Sequence, residues 1–290
     1  MTRQEFDLTF AGPEERAKQY NARASVANFN ACVSEYTVRA NQAKRECVGI
    51  YDLQYGQGTA ERLDIFPVTL PRRPAPLFIF IHGGYWHSQT KEDAPIMAKA
   101  FTDAGIALCT LEYPLLPEAT LAETVREVRS AISWLYQNAA AYGVDRSRIY
   151  VGGSSAGGHL AAMVAAQGWQ KGFNLPDAAI KGVLSLSGLY DLRPLCDIYV
   201  NEWLQLHPEQ AQNLSPLFHL PAAGTPVLLA VGGLETDGFK NQTYAYEAAC
   251  RAHGVAVRRV ETPQRNHFNL PCDLCDPSSD LARAVFAMMR

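Results

Sequence analysis

Ile149-Tyr150-Val151-Gly152-Gly153-Ser154-Ser155-Ala156-Gly157-Gly158-His159-Leu160 decides how this chain reads. A short apolar run enters a glycine-flanked serine, and an alanine-rich helical stretch, Ser155 to Gln167, leaves it. The Gly153-x-Ser155-x-Gly157 pattern is that of a nucleophile elbow, whose meaning rests on this strand–turn–helix setting. So tight a turn leaves no room for side chains at its flanks, hence the glycines. It also predicts strained backbone at Ser155, which lifts the hydroxyl out of the sheet. The helix behind it aims a positive dipole end at negative charge developing there. Ser155 is the candidate nucleophile.

On both sides of this unit, strand and helix signals alternate. Ile50-Leu53-Tyr55 and Leu63-Ile65-Phe66 read as two strands joined at Gly56-Gln57-Gly58. Leu77-Phe78-Ile79-Phe80-Ile81 is continuously apolar, which suits a strand covered on both faces. Strands are further expected at Ile106–Leu111, Ile149–Val151, Val183–Leu186, Val227–Val231 and Val255–Val260. Helices are expected at Leu121–Tyr142, Thr243–His253 and Asp280–Arg290. The pattern predicts one α/β domain over residues 1–290, with an eight-stranded, mostly parallel sheet and helices on both faces. Residues 1–45 read as a helical lead-in. Residues 189–225 interrupt the rhythm and are expected to form a cap or lid, since long connections in compact domains usually serve function.

The composition narrows the partners. With 26 Lys+Arg against 29 Asp+Glu and no basic run, a nucleic-acid partner is not expected. No apolar stretch approaches the length of a membrane span, and Met1–Asp7 lacks the apolar core of a secretory leader. Seven cysteines make no disulfide scaffold, so a cytoplasmic location is expected. Cys272-x-x-Cys275 stands alone, without a second ligand pair, and argues neither for metal nor for redox chemistry. The glycine pairs at 152–153 and 232–233 do not form a dinucleotide fingerprint. No cofactor or metal is expected.

A serine nucleophile needs a base, an orienting acid and an oxyanion hole. His82-Gly83-Gly84-Tyr85-Trp86 ends the Leu77–Ile81 strand, and the amides of Gly83 and Gly84, with that of Ala156, are the candidate oxyanion donors. His267, in Asn266-His267-Phe268-Asn269, is the one histidine after the last strand and hence the candidate base. The acid should lie after Val227–Val231, where Glu235 and Asp237 both occur. Strand-end position favours Glu235, while the general preference for Asp keeps Asp237 as the alternative. Tyr85, Trp86, Tyr190, Phe239 and Phe268 adjoin these loops and are candidate substrate-binding aromatics.

Taken together, His82–Trp86 and Gly153–Leu160 resemble the α/β-hydrolase superfamily, and within it the kynurenine formamidase and carboxylesterase branch related to hormone-sensitive lipase. The resemblance runs from about Tyr20 to the C-terminus, and His267-Phe268 matches the branch's catalytic His-Phe pair. It implies an α/β-hydrolase fold and a serine hydrolase that cleaves a small carboxylic ester or aryl formamide through an acyl-enzyme. It also implies a homodimer as the common assembly. A dedicated kynurenine formamidase is the narrower alternative; a non-catalytic ligand-binding protein or an acyltransferase is more remote.

Overall fold

The computed structural model describes residues 6–69 and 73–290. Of the Met1–Asp7 stretch read for a leader, Met1–Glu5 lie outside the described residues. Eight strands make one sheet: β1 (Ile50–Gln54), β2 (Arg62–Phe66), β3 (Ala75–Ile81), β4 (Ala107–Leu111), β5 (Val144–Ser154), β6 (Ile180–Leu186), β7 (Val227–Gly232) and β8 (Val257–Thr262). They lie in the order β1-β2-β4-β3-β5-β6-β7-β8. β1, β2 and β4 pair antiparallel, and β4 through β8 pair parallel by way of β3. All eight expected strands are present, and the fold is that of the α/β-hydrolases.

Burial explains why the middle of the sheet was legible. Every residue of β3 is buried, as a strand between two helical layers must be. The helices are α1 (Pro13–Gln19), α2 (Phe29–Glu46), α3 (Ala98–Asp103), α4 (Leu121–Asn138), α5 (Ala156–Ala165), α6 (Asn201–Leu204), α7 (Pro208–Asn213), α8 (Asp237–Ala252) and α9 (Asp280–Met288). A capping box at Thr120 and Glu123 starts α4. Among the described residues, no helix is long and apolar enough to cross a membrane.

α8 starts six residues before its expected position. Gly238, inside its first turn, has no side chain and so admits α1: a Cβ there would lie 2.5 Å from the Gln19 carbonyl oxygen. The same seam holds the lead-in. Thr236 Oγ1 donates to the Gln19 carbonyl at 2.5 Å, and Gln242 Nε2 donates to the hydroxyl of the fully buried Tyr20 at 3.0 Å. Between β6 and β7 the chain forms α6, α7 and two 3₁₀ turns.

Candidate active site

Ser155 stands between β5 and α5 with φ 58° and ψ −120°, a left-handed conformation that non-glycine residues rarely adopt. Its N–H donates to the Leu186 carbonyl at 2.8 Å, which ties the turn to β6. The turn tolerates no side chain beside it. A Cβ on Gly157 would sit 2.1 Å from the Ile81 carbonyl oxygen, and one on Gly153 would sit 2.2 Å from the Gly157 carbonyl oxygen.

His267 follows β8 in a loop braced by its neighbours. Asn266 Oδ1 accepts from the Phe268 and Asn269 amides, both at 2.9 Å, and Asn269 Oδ1 accepts from the Asn266 amide at 2.7 Å. The imidazole donates from Nδ1 to Glu235 Oε2 at 2.6 Å, which leaves the Nε2 lone pair for the cavity it shares with Ser155. Glu235 is 4% exposed, and its other oxygen accepts the Ser187 hydroxyl at 2.6 Å and the Gly232 amide at 2.7 Å. A buried carboxylate with three donors is held in place. Asp237 is not brought to the histidine: its side chain is 70% exposed at the start of α8, 3.7 Å from Lys240.

Gly83 and Gly84 line the same cavity as Ser155 and His267. Ala156 is fully buried at the first turn of α5. Gly84 has φ +96°, and a Cβ there would lie 2.1 Å from the Ser88 carbonyl oxygen, so this turn requires glycine. Among the described residues, the Gly83 and Gly84 amides find no protein acceptor.

The five candidate aromatics divide. Tyr85 and Phe268 line the cavity. Trp86, Tyr190 and Phe239 do not, which corrects the expectation that all five would face a substrate. Trp86 is fully buried and donates to His159 Nδ1 at 3.2 Å. Tyr190 stacks on Tyr246 with ring centroids 4.3 Å apart, and Phe239 packs on the His267 imidazole at 4.4 Å. Burial pushes His159 down to about 4, so it is a neutral packing histidine. Burial likewise pushes the Cys272 and Cys275 thiols up to about 12 and about 11, away from thiolate chemistry.

Sequence reasoning missed most of the cavity's outer wall. The space is about 650 Å³, and the lead-in lines it with Asn21, Ala22, Arg23, Phe29, Val33 and Tyr36. Segment 189–225 contributes Tyr199 and Trp203. Ser187, which braces Glu235, also escaped notice. Its one signal was a polar residue with a following glycine at the end of an apolar strand.

A family model for BD-FAE matches residues 63–238. The kynurenine formamidase of Salmo salar is 29% identical over 295 residues, covering 100% of this chain and 97% of that protein. Esterase LipQ of Mycobacterium tuberculosis is 29% identical over 237 residues, covering 74% of this chain and 56% of that one. Among solved structures, a protein of Silicibacter sp. tm1040 described provisionally as a thioesterase superposes with a TM-score of 0.79 at 28% identity, covering 95% of this chain and 98% of its own.

Proposed function

This chain belongs to the BD-FAE family, and from that premise we propose how its site works. It is a hydrolase of the α/β-hydrolase superfamily acting on esters or formamides. In our reading Ser155 attacks the substrate carbonyl while His267 Nε2 takes its proton. Glu235 holds the imidazole in the tautomer that makes Nε2 the base. The amides of Gly83, Gly84 and Ala156 receive the oxyanion. His267 then protonates the leaving alcohol or amine, and water releases the acyl group by the same steps in reverse roles.

The observation that carries this reading is the 2.6 Å Glu235–His267 pair, whose histidine lines one cavity with a serine in strained elbow geometry. Phe29, Tyr36, Phe80, Tyr85 and Phe268 give that cavity an aromatic lining, which favours a compact aryl substrate. The full-length similarity to a formamidase supports the narrower reading, an enzyme dedicated to an aryl formamide such as N-formylkynurenine. We take the chain to act as one unit, as a homodimer and in the cytoplasm, the last in keeping with seven free cysteines.

Steady-state kinetics on N-formylkynurenine and p-nitrophenyl acetate test both readings. Ser155→Ala should abolish turnover of either substrate in a folded protein, and retained activity would overturn the mechanism. A far higher kcat/KM for the formamide selects the formamidase. Turnover of the ester alone selects a carboxylesterase.

A further inference from the structure

Gln89 stands where the glycine loop turns back beside the nucleophile, and three observations set it apart. Its backbone has φ +66°, a left-handed conformation that glutamine adopts only at a cost. Glycine or asparagine would hold that turn with less strain, so the backbone alone gives no reason for a glutamine here. Its side chain lines the cavity. The hydroxyls on either side are spent within the chain: Ser88 Oγ donates to the Gly84 carbonyl at 3.1 Å, and Thr90 Oγ1 accepts the Glu92 amide at 3.3 Å. Among the described residues, the Gln89 side-chain amide has no such partner.

The third observation is its place beside Gly83. In the space that a Cβ on Gly83 would take, Ser155 Cβ comes within 3.3 Å and Gln89 Oε1 within 3.6 Å. The missing side chain therefore lets a free amide oxygen approach the flank of the nucleophile. The loop is fixed ahead of this point. The His87 and Ser88 amides both donate to the Gly84 carbonyl at 3.0 Å, and the Trp86 carbonyl accepts the Leu116 amide at 2.8 Å.

A free amide oxygen is an acceptor, and the two substrate classes differ in whether the bond that breaks carries a donor. An aryl formamide has an N–H on its leaving atom, and an ester has none. When Ser155 Oγ bonds to the formyl carbon, the carbonyl electron pair moves onto oxygen and the nitrogen loses its planarity. That nitrogen then carries the acyl carbon, the aryl ring, a hydrogen and a lone pair. The lone pair must face His267 Nε2, which hands it the proton taken from Ser155 as the C–N bond breaks. A free aryl amine and a formyl-enzyme result. With the ring against the aromatic wall, the remaining hydrogen needs an acceptor. We propose that Gln89 is that acceptor: its Oε1 takes the hydrogen bond of the scissile N–H and so selects formamides over esters. The inference rests on the serine mechanism and the formamide reading given above, and names the residue that tells the two bonds apart. The nitrogen is pyramidal only after attack, so the bond strengthens towards the transition state and its loss should fall on kcat more than on KM.

Formanilide and phenyl formate test this, because they share the acyl group and the ring and differ only in N–H against oxygen. Both are uncharged, so Arg23 and Asp93 in the cavity lining have no opposite charge to act on. The readout is the ratio of kcat/KM for formanilide to that for phenyl formate, in which a general disturbance of the site cancels. Gln89→Met keeps the length and removes the acceptor, and its ratio should fall roughly 10-fold or more. Gln89→Ala should do the same, should the methionine variant fail to fold. Gln89→Glu keeps an acceptor and, ionised, has no donor, so its ratio should return to within about threefold of the wild type. An unchanged ratio in Gln89→Met and Gln89→Ala would overturn the proposal. So would a Gln89→Glu ratio as low as theirs, which would assign Gln89 a donor's role instead. Failure of the reading beneath it looks different: turnover surviving in Ser155→Ala, or a wild type that cleaves phenyl formate and leaves formanilide intact.

Discussion

Ser155 holds a conformation that costs about 1–3 kcal/mol when nothing enforces it. Here its N–H is bound to the Leu186 carbonyl, and two glycines give it room. At the same scale, reach and exposure favour Glu235 as the acid of the proposed mechanism. Glu235 has its three hydrogen bonds in the interior, while Asp237 faces solvent at the first residue of α8. Glu235→Gln should lower kcat on the order of 10³- to 10⁴-fold, since the wrong tautomer of His267 then competes. Asp237→Asn should stay within about twofold of wild type, as surface changes usually do. Loss of activity in Asp237→Asn, with Glu235→Gln active, would reverse the assignment.

The elbow exists at the scale of elements because α5 crosses the end of β3 at backbone contact. Gly157→Ala should push those two apart and destabilise the protein by about 1–3 kcal/mol, read as a lowered Tm with loss of activity. The strands and the elbow were legible in sequence because their signals are local: buried parallel strands read as unbroken apolar runs, and the elbow brings its own glycines. The pocket was not, because it depends on which way loop side chains turn. Tyr85 and Trp86 are neighbours, both at positive φ (52° and 57°), yet one lines the cavity and the other is buried against His159. The wall supplied by the lead-in was equally hidden, since its partners lie far along the chain. Among the described residues, that wall carries the one arginine of the cavity lining, Arg23, its guanidinium 4.1 Å from the Phe29 ring centroid. Arg23→Gln should raise KM several-fold for a carboxylate-bearing aryl substrate and leave a neutral aryl ester nearly unchanged. Equal effects on both would assign Arg23 to packing.

Over the whole molecule, pH acts on stability as well as on catalysis. Burial, and then the neighbouring carboxyl of Glu61, push Glu127 up to about 7. The folded chain therefore keeps a proton that the unfolded chain releases at ordinary carboxylate pH, about 4.3. Stability from this pair falls as pH rises between those values. Glu127→Gln should raise Tm at about pH 8 and change it little at about pH 5; a gain at both would point to packing. The cavity is also where distant parts of the chain meet. The Tyr36 hydroxyl donates to the Phe268 carbonyl, 232 residues away in sequence. This sets a timetable for synthesis. A ribosome releases the lead-in wall of the cavity before Ser155, and Ser155 before His267. Under the proposed mechanism a nascent chain therefore carries its serine before its base, and hydrolysis waits for the loop that follows the final strand.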